Sequence, residues 1–342
     1  IDENMYDTIR QQPQSDKISL LIIGDSNTER GDITLPLKMM LDSIFGNKGT
    51  GYCTLNTNST GQMPQQLSIV VDSSWTMNDM RDGWTPGTPP YLAPDGLSIS
   101  SSVRNAAVRI QFSGTGADLF YLDGKAKGSF KVTIDGKKRA KIKGSISVPE
   151  TARASFGTLP SGNHQMDIRI KSGTVTLFGL NVHTVFPYRQ PGAVVHKWAN
   201  SWASTEEFAR IDSMVFGSAL RELDPSTVVI MLGTNDHNLD QRDPVSVMNN
   251  LVLIVRRIQA ALPSARIMIL STVNSDKSDE QGLLPLYLTV SFPEAAHKCG
   301  VEYWDMNEWF GPCTAEKLPD GVHVSGKWGR LLAERLLNRL RN

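Results

Sequence analysis

Short apolar runs recur near both ends of the chain. Residues 18–23 are apolar at every position but Ser19, the length and texture of a strand buried on both faces. Gly24-Asp25-Ser26 follows. Residues 35–45 then place Leu37, Met40, Leu41 and Ile44 at helical spacing, with Thr34 as a candidate cap and Pro36 tolerable in the first turn. The alternation resumes from about Thr205. Residues 208–223 predict a helix and 228–232 a strand. Residues 245–262 predict a helix with Asp243 at its N-cap and Pro244 at its first position. Residues 266–270 and 301–304 predict two more strands. Ser325 is a candidate cap for a final helix with an apolar face of Leu331, Leu332, Leu336 and Leu340. Short apolar strands alternating with helices predict a parallel sheet covered on both faces.

The middle of the chain reads differently. From about Gln65 to Val185 no segment has convincing helical periodicity. Strand-like runs cover 103–112, 117–122, 129–134, 165–170 and 174–182, two of them ended by Asp123-Gly124 and Asp135-Gly136. Short strands with Gly and Asp turns predict a β-sandwich. The expected organisation is therefore an α/β domain in two segments, 1–64 and 186–342, interrupted by an all-β module at 65–185. The Asn-, Thr-, Ser- and Gly-rich stretch 56–64 is the kind of exposed loop that accepts an insertion.

Composition narrows the function classes. With 342 residues, 40% of them hydrophobic and 20% charged, the chain can bury a sizeable core, and its length suits about two domains. Lys+Arg and Asp+Glu are both 35. That zero balance argues against a nucleic-acid or membrane-surface protein, which usually needs a basic excess. No run approaches the ~20 apolar residues of a membrane span. The three cysteines, Cys53, Cys299 and Cys313, lack metal-site spacing. One disulfide with one thiol, and three buried thiols, both remain open. No cluster of His, Cys, Asp and Glu has metal-ligand spacing, so neither a metal nor a cofactor is expected. The chain opens on Ile1 rather than Met, which reads as either a processed or an engineered start, with any signal peptide outside this sequence.

Three blocks carry candidate chemistry. Ser26, directly after a strand and before a helix, is placed as a nucleophile, since functional groups gather at the carboxyl ends of strands in open α/β sheets. A serine there is also a common N-cap. Asn235, in Gly233-Thr-Asn-Asp236 after the strand at 228–232, has an amide that could donate to an oxyanion; it could equally close an Asx turn. In Asp320-Gly-Val-His323, a spacing of three across a glycine can bring the carboxylate to the imidazole, which then serves as general base.

In the order Ser, Asn, Asp-x-x-His, these blocks resemble the SGNH (GDSL-type) hydrolase family over about residues 15–60 and 186–342. The matching strings are Ile22-Ile-Gly-Asp-Ser-Asn27, Gly233-Thr-Asn-Asp236 and Asp320-Gly-Val-His323. The resemblance implies a flavodoxin-like three-layer α/β/α fold. It implies Ser26 as nucleophile, also donating its backbone N–H, His323 as base, Asp320 as its orienter and Asn235 as an oxyanion donor. The family's second block supplies a glycine N–H to the oxyanion hole. The best match is Gly192, in Gln190-Pro-Gly-Ala-Val194, although Arg189-Gln-Pro191 departs from the usual pattern. SGNH hydrolases interrupted by a sandwich like a carbohydrate-binding module look like polysaccharide and peptidoglycan O-acetylesterases, and bacteriophage tail deacetylases are built similarly. The resemblance thus implies a serine esterase removing O-acetyl groups from a carbohydrate polymer, located outside the cytoplasm: secreted, periplasmic, on a cell surface or on a virion. A lipase, thioesterase or arylesterase of the same family, and a non-catalytic carbohydrate-binding protein, stay open.

Other residues are weaker candidates. His237 could touch substrate beside the Asn block. Trp198, Trp202, Trp304 and Trp309 flank the blocks and could stack on sugar rings, or they could pack the core. Trp75, Trp84 and Tyr91 raise the same question in the insert. Ser161-Gly-Asn-His164 spells the family's letters consecutively but reads as a hairpin turn, so His164 receives no catalytic role. Gly46-Asn-Lys-Gly-Thr-Gly51 lacks the context of a phosphate loop.

Overall fold

The computed structural model describes residues 18–59, 61, 67–83, 89–124, 128–145, 148–184, 192–275 and 282–341. Strand β1 (Ile18–Gly24) runs into a one-turn helix α1 (Ser26–Glu29), followed by α2 (Thr34–Phe45). Eleven strands come next: β2 (Gly49–Thr54), β3 (Leu67–Val71), β4 (Thr76–Asp79), β5 (Leu97–Ser101), β6 (Ala107–Gly114), β7 (Gly116–Asp123), β8 (Ser129–Ile134), β9 (Lys137–Lys143), β10 (Glu150–Phe156), β11 (Gly162–Ser172) and β12 (Val175–His183). The α/β pattern resumes with β13 (Ala193–Ala199), α3 (Thr205–Arg210), α4 (Ser213–Leu223), β14 (Thr227–Met231), α5 (Thr234–Asn238), α6 (Pro244–Ala261), β15 (Arg266–Leu270), α7 (Phe292–Cys299), β16 (Glu302–Trp304) and α8 (Gly326–Arg341).

Five strands form a parallel sheet in the order β13-β1-β14-β15-β16. Counting only these strands along the chain, the order is 2-1-3-4-5, the flavodoxin-like arrangement. Side chains alternate across its strands, so β1 feeds two cores. Leu20 and Ile22 pack with Leu37, Leu41, Leu332 and Leu336 of α2 and α8. Leu21 and Ile23 pack with Phe216, Leu220, Ile254, Val255 and Phe292 of α4, α6 and α7. The three-layer α/β/α architecture follows from that alternation.

Local chemistry explains where elements start and stop. Asp243 accepts from Ser246 N–H at the head of α6, with Pro244 at the first position, as the sequence predicts. The helix predicted over 208–223 is two helices. Asp212 interrupts it by accepting from Met214 N–H and Val215 N–H, capping α4 anew. Thr34 is not a cap: Ile33 holds that position without a side-chain bond. At the final helix the Ser325 hydroxyl donates to Glu316 O. Strand β13, broken in texture by His196 and Lys197, escaped the periodicity.

The middle segment forms two antiparallel sheets, β3-β6-β11-β8-β9 and β10-β7-β12-β5-β4, the second joined by β2 through β12. Their inner faces share one apolar cluster containing Val108, Ile110, Leu119, Phe130, Ile168 and Leu177. Tyr52, Phe120 and Phe178 turn the other way and join Trp198 and Phe216 in the core of the parallel sheet. Thr151 of β10 also donates its N–H to Ser218 Oγ and its hydroxyl to Val215 O on α4. The β-strands and the α/β layers are thus packed through a common core. The structure joins no two of the three cysteines in a disulfide. Among the described residues, no helix is long and apolar enough to cross a membrane.

Candidate active site

Strands β1 and β14 lie side by side where the strand order reverses, and in open α/β sheets ligands bind beyond the carboxyl ends of the strands at that point. Ser26 is the first residue of α1. Asp25 precedes it in extended conformation and accepts from Asn27 N–H at 3.0 Å. Burial pushes the Asp25 carboxyl up to about 6, against the pull of Thr234 and the Asn27 N–H. Gly24 is required by close approach: a Cβ there would sit 2.0 Å from Thr28 Oγ1.

Ser26 Oγ lies 2.9 Å from His323 Nε2, and His323 Nδ1 lies 2.7 Å from Asp320 Oδ2. The loop that carries this pair folds on itself, with the N–H groups of His323 and Val322 both donating to Asp320 Oδ1. Partial burial would raise the Asp320 carboxyl. The His323 backbone and ring, with the Val322 N–H, outweigh it and hold the group well below the usual carboxylate range. Arg30 Nη1 adds a contact to Asp320 at 3.2 Å. Asn27, the residue after Ser26, accepts from Val324 N–H at 3.1 Å and so fastens the histidine loop to the serine turn. Sequence reading had assigned no role to Asn27.

Asn235 lies in α5, 5% exposed, and its Nδ2 donates to Ala203 O at 2.9 Å. One of its two amide hydrogens is used there. Gly233 before it has φ +126°, and a Cβ would meet the Phe292 ring at 2.8 Å. Asp236 is fully buried and accepts from the N–H and hydroxyl of Thr205, joining this turn to the head of α3; burial pushes it up to about 6.

Gly192 does not join them. Its carbonyl accepts from Ile18 N–H at the amino end of the parallel sheet, whereas Ser26 follows the carboxyl end, where Gly24 pairs with Ala199. A whole strand, about 20 Å at 3.3 Å per residue, separates the two. The backbone that does reach Gly24 is the stretch after β13: Asn200 N–H donates to Gly24 O at 3.2 Å. This turn, residues 200–203, is braced from two sides. Glu29 of α1 accepts from Ser201 N–H at 2.7 Å and from the hydroxyls of Ser201 and Ser59. Asp79 of β4 accepts from Asn200 Nδ2 at 3.0 Å. Glu29, Asp79, Asn200 and Ser201 were all missed. The signal was present, since Asn200-Ser201 ends an apolar run just as Gly24-Asp25-Ser26 does, but it needed β13 to be recognised as a strand.

The aromatic candidates divide. Trp202 on the 200–203 turn is 61% exposed and adopts φ +70°. Trp198 is 1% exposed and packs edge-on against Tyr52, so it is a core residue. Trp309 packs against Trp328 of α8 under Arg335, and Trp304 leans on the same core. His237 is neither solvated nor facing substrate: it is 2% exposed, with Nδ1 2.6 Å from Asn238 Oδ1. Trp75 and Tyr91 are buried, and Trp84 lies outside the described residues. His164 has both ring nitrogens engaged, by Asp135 and by Pro160 O, in keeping with a turn residue.

The parallel sheet of this order, with a serine, a histidine and an asparagine in the loops beyond its carboxyl end, has the three-layer α/β/α fold of the SGNH hydrolases. Residues 185–334 match the GDSL-like Lipase/Acylhydrolase family. Among solved structures, one described as "Peptidoglycan O-acetylesterase in action, 5 min" is 17% identical with a TM-score of 0.75, covering 99% of this chain and 94% of that one. A family two carbohydrate esterase from Clostridium thermocellum in complex with cellohexaose is 16% identical with a TM-score of 0.33, covering 78% of this chain and 98% of that one. No curated protein sequence matches the chain.

Proposed function

We propose that this protein removes O-acetyl groups from a carbohydrate polymer through an acyl-enzyme on Ser26. The observation that carries the reading is the unbroken contact chain from Asp320 through His323 to Ser26 Oγ. Ser26 Oγ attacks the ester carbonyl carbon while His323 Nε2 takes its proton. The charge that develops on the carbonyl oxygen is met by the Ser26 N–H at the head of α1 and by the amide hydrogen of Asn235 not given to Ala203. The tetrahedral species collapses, the sugar oxygen leaves with the proton from His323, and the acetyl group remains on Ser26. A water then repeats the cycle, giving its proton to His323 and releasing acetate. Asp320, held anionic, keeps the imidazole oriented and stabilises it when charged.

The carbohydrate assignment draws its support from the chain-long similarity of fold to a peptidoglycan O-acetylesterase. In this reading the β-module at 65–185 holds the polymer, the exposed Trp202 contacts a sugar, and the protein works outside the cytoplasm. The test is acetate release from acetylated peptidoglycan, xylan and other acetylated glycans, beside p-nitrophenyl esters of rising chain length. Acetyl esters should be preferred, and Ser26→Ala should lose on the order of 10⁶ in rate with its fold intact. Faster turnover of long acyl chains would make the protein a lipase. A Ser26→Ala variant retaining more than a few per cent of activity would displace the nucleophile.

A further inference from the structure

We propose that the outer face of the β3-β6-β11-β8-β9 sheet is a docking surface for an acidic polysaccharide whose sugar rings carry carboxylates. The proposal deepens the polymer reading above and rests on it for the direction of binding, but its evidence is separate.

The chain is neutral overall, yet this face concentrates positive charge in register. Arg169 of β11 stands opposite Lys131 of β8, and Lys131 opposite Lys141 of β9. Two residues along the strands, Arg109 of β6 stands opposite Asp167, and Thr133 faces Lys138. Strand β9 itself contributes Lys138, Lys141 and Lys143 to this face, all exposed. Asp167 answers the two arginines beside it, accepting from Arg109 Nε at 3.0 Å and held anionic by Arg109 and Arg169 together, and, among the described residues, leaves the lysines of the face without a carboxylate. Among the described residues no ion pair takes up Lys131, Lys141 or Arg169.

Folding does not explain this row. Like charges directly opposite one another across strands destabilise a sheet. Lysines on an edge strand do deter edge-to-edge association, which accounts for β9. It does not account for Lys131 and Arg169, which lie on interior strands.

The neighbouring surface indicates the ligand's chemistry. The basic rows run into an open groove of about 760 Å³ lined by Ser68, Gln111, Asn163 and Gln165. Its one carboxylate among the described residues, Asp135, is engaged by His164 Nδ1 at 2.7 Å and the Gln165 N–H at 2.9 Å. Ser68, Gln111 and Gln165 face one another across β3, β6 and β11. Amide and hydroxyl groups suit sugar hydroxyls, and the guanidinium and ammonium groups suit carboxylates. Single-stranded nucleic acid stacks its bases on exposed aromatic rings, and a membrane surface takes exposed apolar side chains. Among the described residues no exposed aromatic ring lines this groove, and the one exposed large apolar side chain on the face, Val70 beside Arg109, stands alone.

The test is gel retardation of the full chain by polygalacturonate, with dextran as the neutral control and single-stranded DNA as the competing polyanion. The expected result is retardation by polygalacturonate alone, weakened by salt. Lys131→Gln/Lys141→Gln/Arg169→Gln should weaken it about tenfold, with p-nitrophenyl acetate hydrolysis unchanged. Gln111→Ala/Gln165→Ala should weaken it at an unchanged salt slope, which separates the groove from charge alone. No retardation of the wild type, equal retardation by DNA, or a triple variant that binds as wild type would each overturn the proposal. Failure of the esterase reading has a different signature: retardation intact, with no acetate released from any ester.

Discussion

Asn235 serves structure and chemistry with the same amide. One hydrogen holds Ala203 O, fixing the 200–203 turn, and in the proposed mechanism the other meets the oxyanion. The Asx-turn and oxyanion readings of this residue are therefore not rivals. Asn235→Ala should lower kcat by about 10²–10³ with KM little changed, because the lost donor acts on charge that exists only in the transition state. It should also lower thermal stability by about 1 kcal/mol, because a buried carbonyl loses its donor. Steady-state kinetics and a melting curve on one variant check both. A lowered melting temperature with near-normal kcat would leave Asn235 as a brace only.

The turn after β13 is held by two different layers of the molecule. Glu29 belongs to the same helical turn as Ser26, and Asp79 belongs to a strand of the β-module. Glu29 receives an N–H and two hydroxyls at one carboxylate, a demand a neutral amide cannot meet with its single acceptor oxygen. Glu29→Gln should therefore misplace the turn and lower kcat on p-nitrophenyl acetate by about tenfold to a hundredfold, since displacements near 1 Å have such effects. Asp79→Ala should lower it less, as one contact to Asn200 is lost. Wild-type kcat in both variants would show that the turn is held without them. The same contacts tie the β-module to the α/β layers. A linker in place of 65–185 would remove Asp79 and strip Phe120 and Phe178 from the core shared with Trp198. Activity on small esters should fall together with activity on polymer.

Across the whole molecule, three buried acids carry a shared cost at neutral pH. Burial pushes Asp95 up to about 8 and Asp25 and Asp236 up to about 6. For a carboxyl raised in the folded state, the folded protein holds its proton over a range where the unfolded chain has released it. Its stabilising effect is complete below the unfolded value of about 3.8 and is lost as pH rises through the folded value. For Asp95 that window runs from about pH 4 to pH 8, with a loss of at most about 1.4 kcal/mol per pH unit. Asp95→Asn keeps an oxygen for the Leu97 N–H that Asp95 now accepts and has no proton to lose. Its stability relative to wild type should climb from pH 5 to pH 8, read as the difference in melting temperature. A difference independent of pH would mean that Asp95 is ionised in the folded protein throughout.

The sequence by itself determined the pieces whose signals are local. The apolar run of β1, the caps of α6 at Asp243 and Pro244, the strand β15, and the serine, asparagine and Asp-x-x-His blocks were all legible, because periodicity, capping and turn chemistry involve neighbours within a few residues. The tertiary structure decided everything that depends on which distant segments meet. Gly192 and Asn200 bound the same strand, and only the register of β13 against β1 shows that Asn200, and not Gly192, shares an end of the sheet with Ser26. Trp198 and Trp202 are four positions apart, yet one is enclosed by Tyr52 and Phe216 and the other is open to solvent. His237 adjoins a site residue but is sealed beneath Tyr287. Burial sums contributions from segments far apart in the chain, and a strand's two ends are chemically alike in sequence. Nothing short of the assembled sheet distinguishes the end that faces a substrate from the end that faces away.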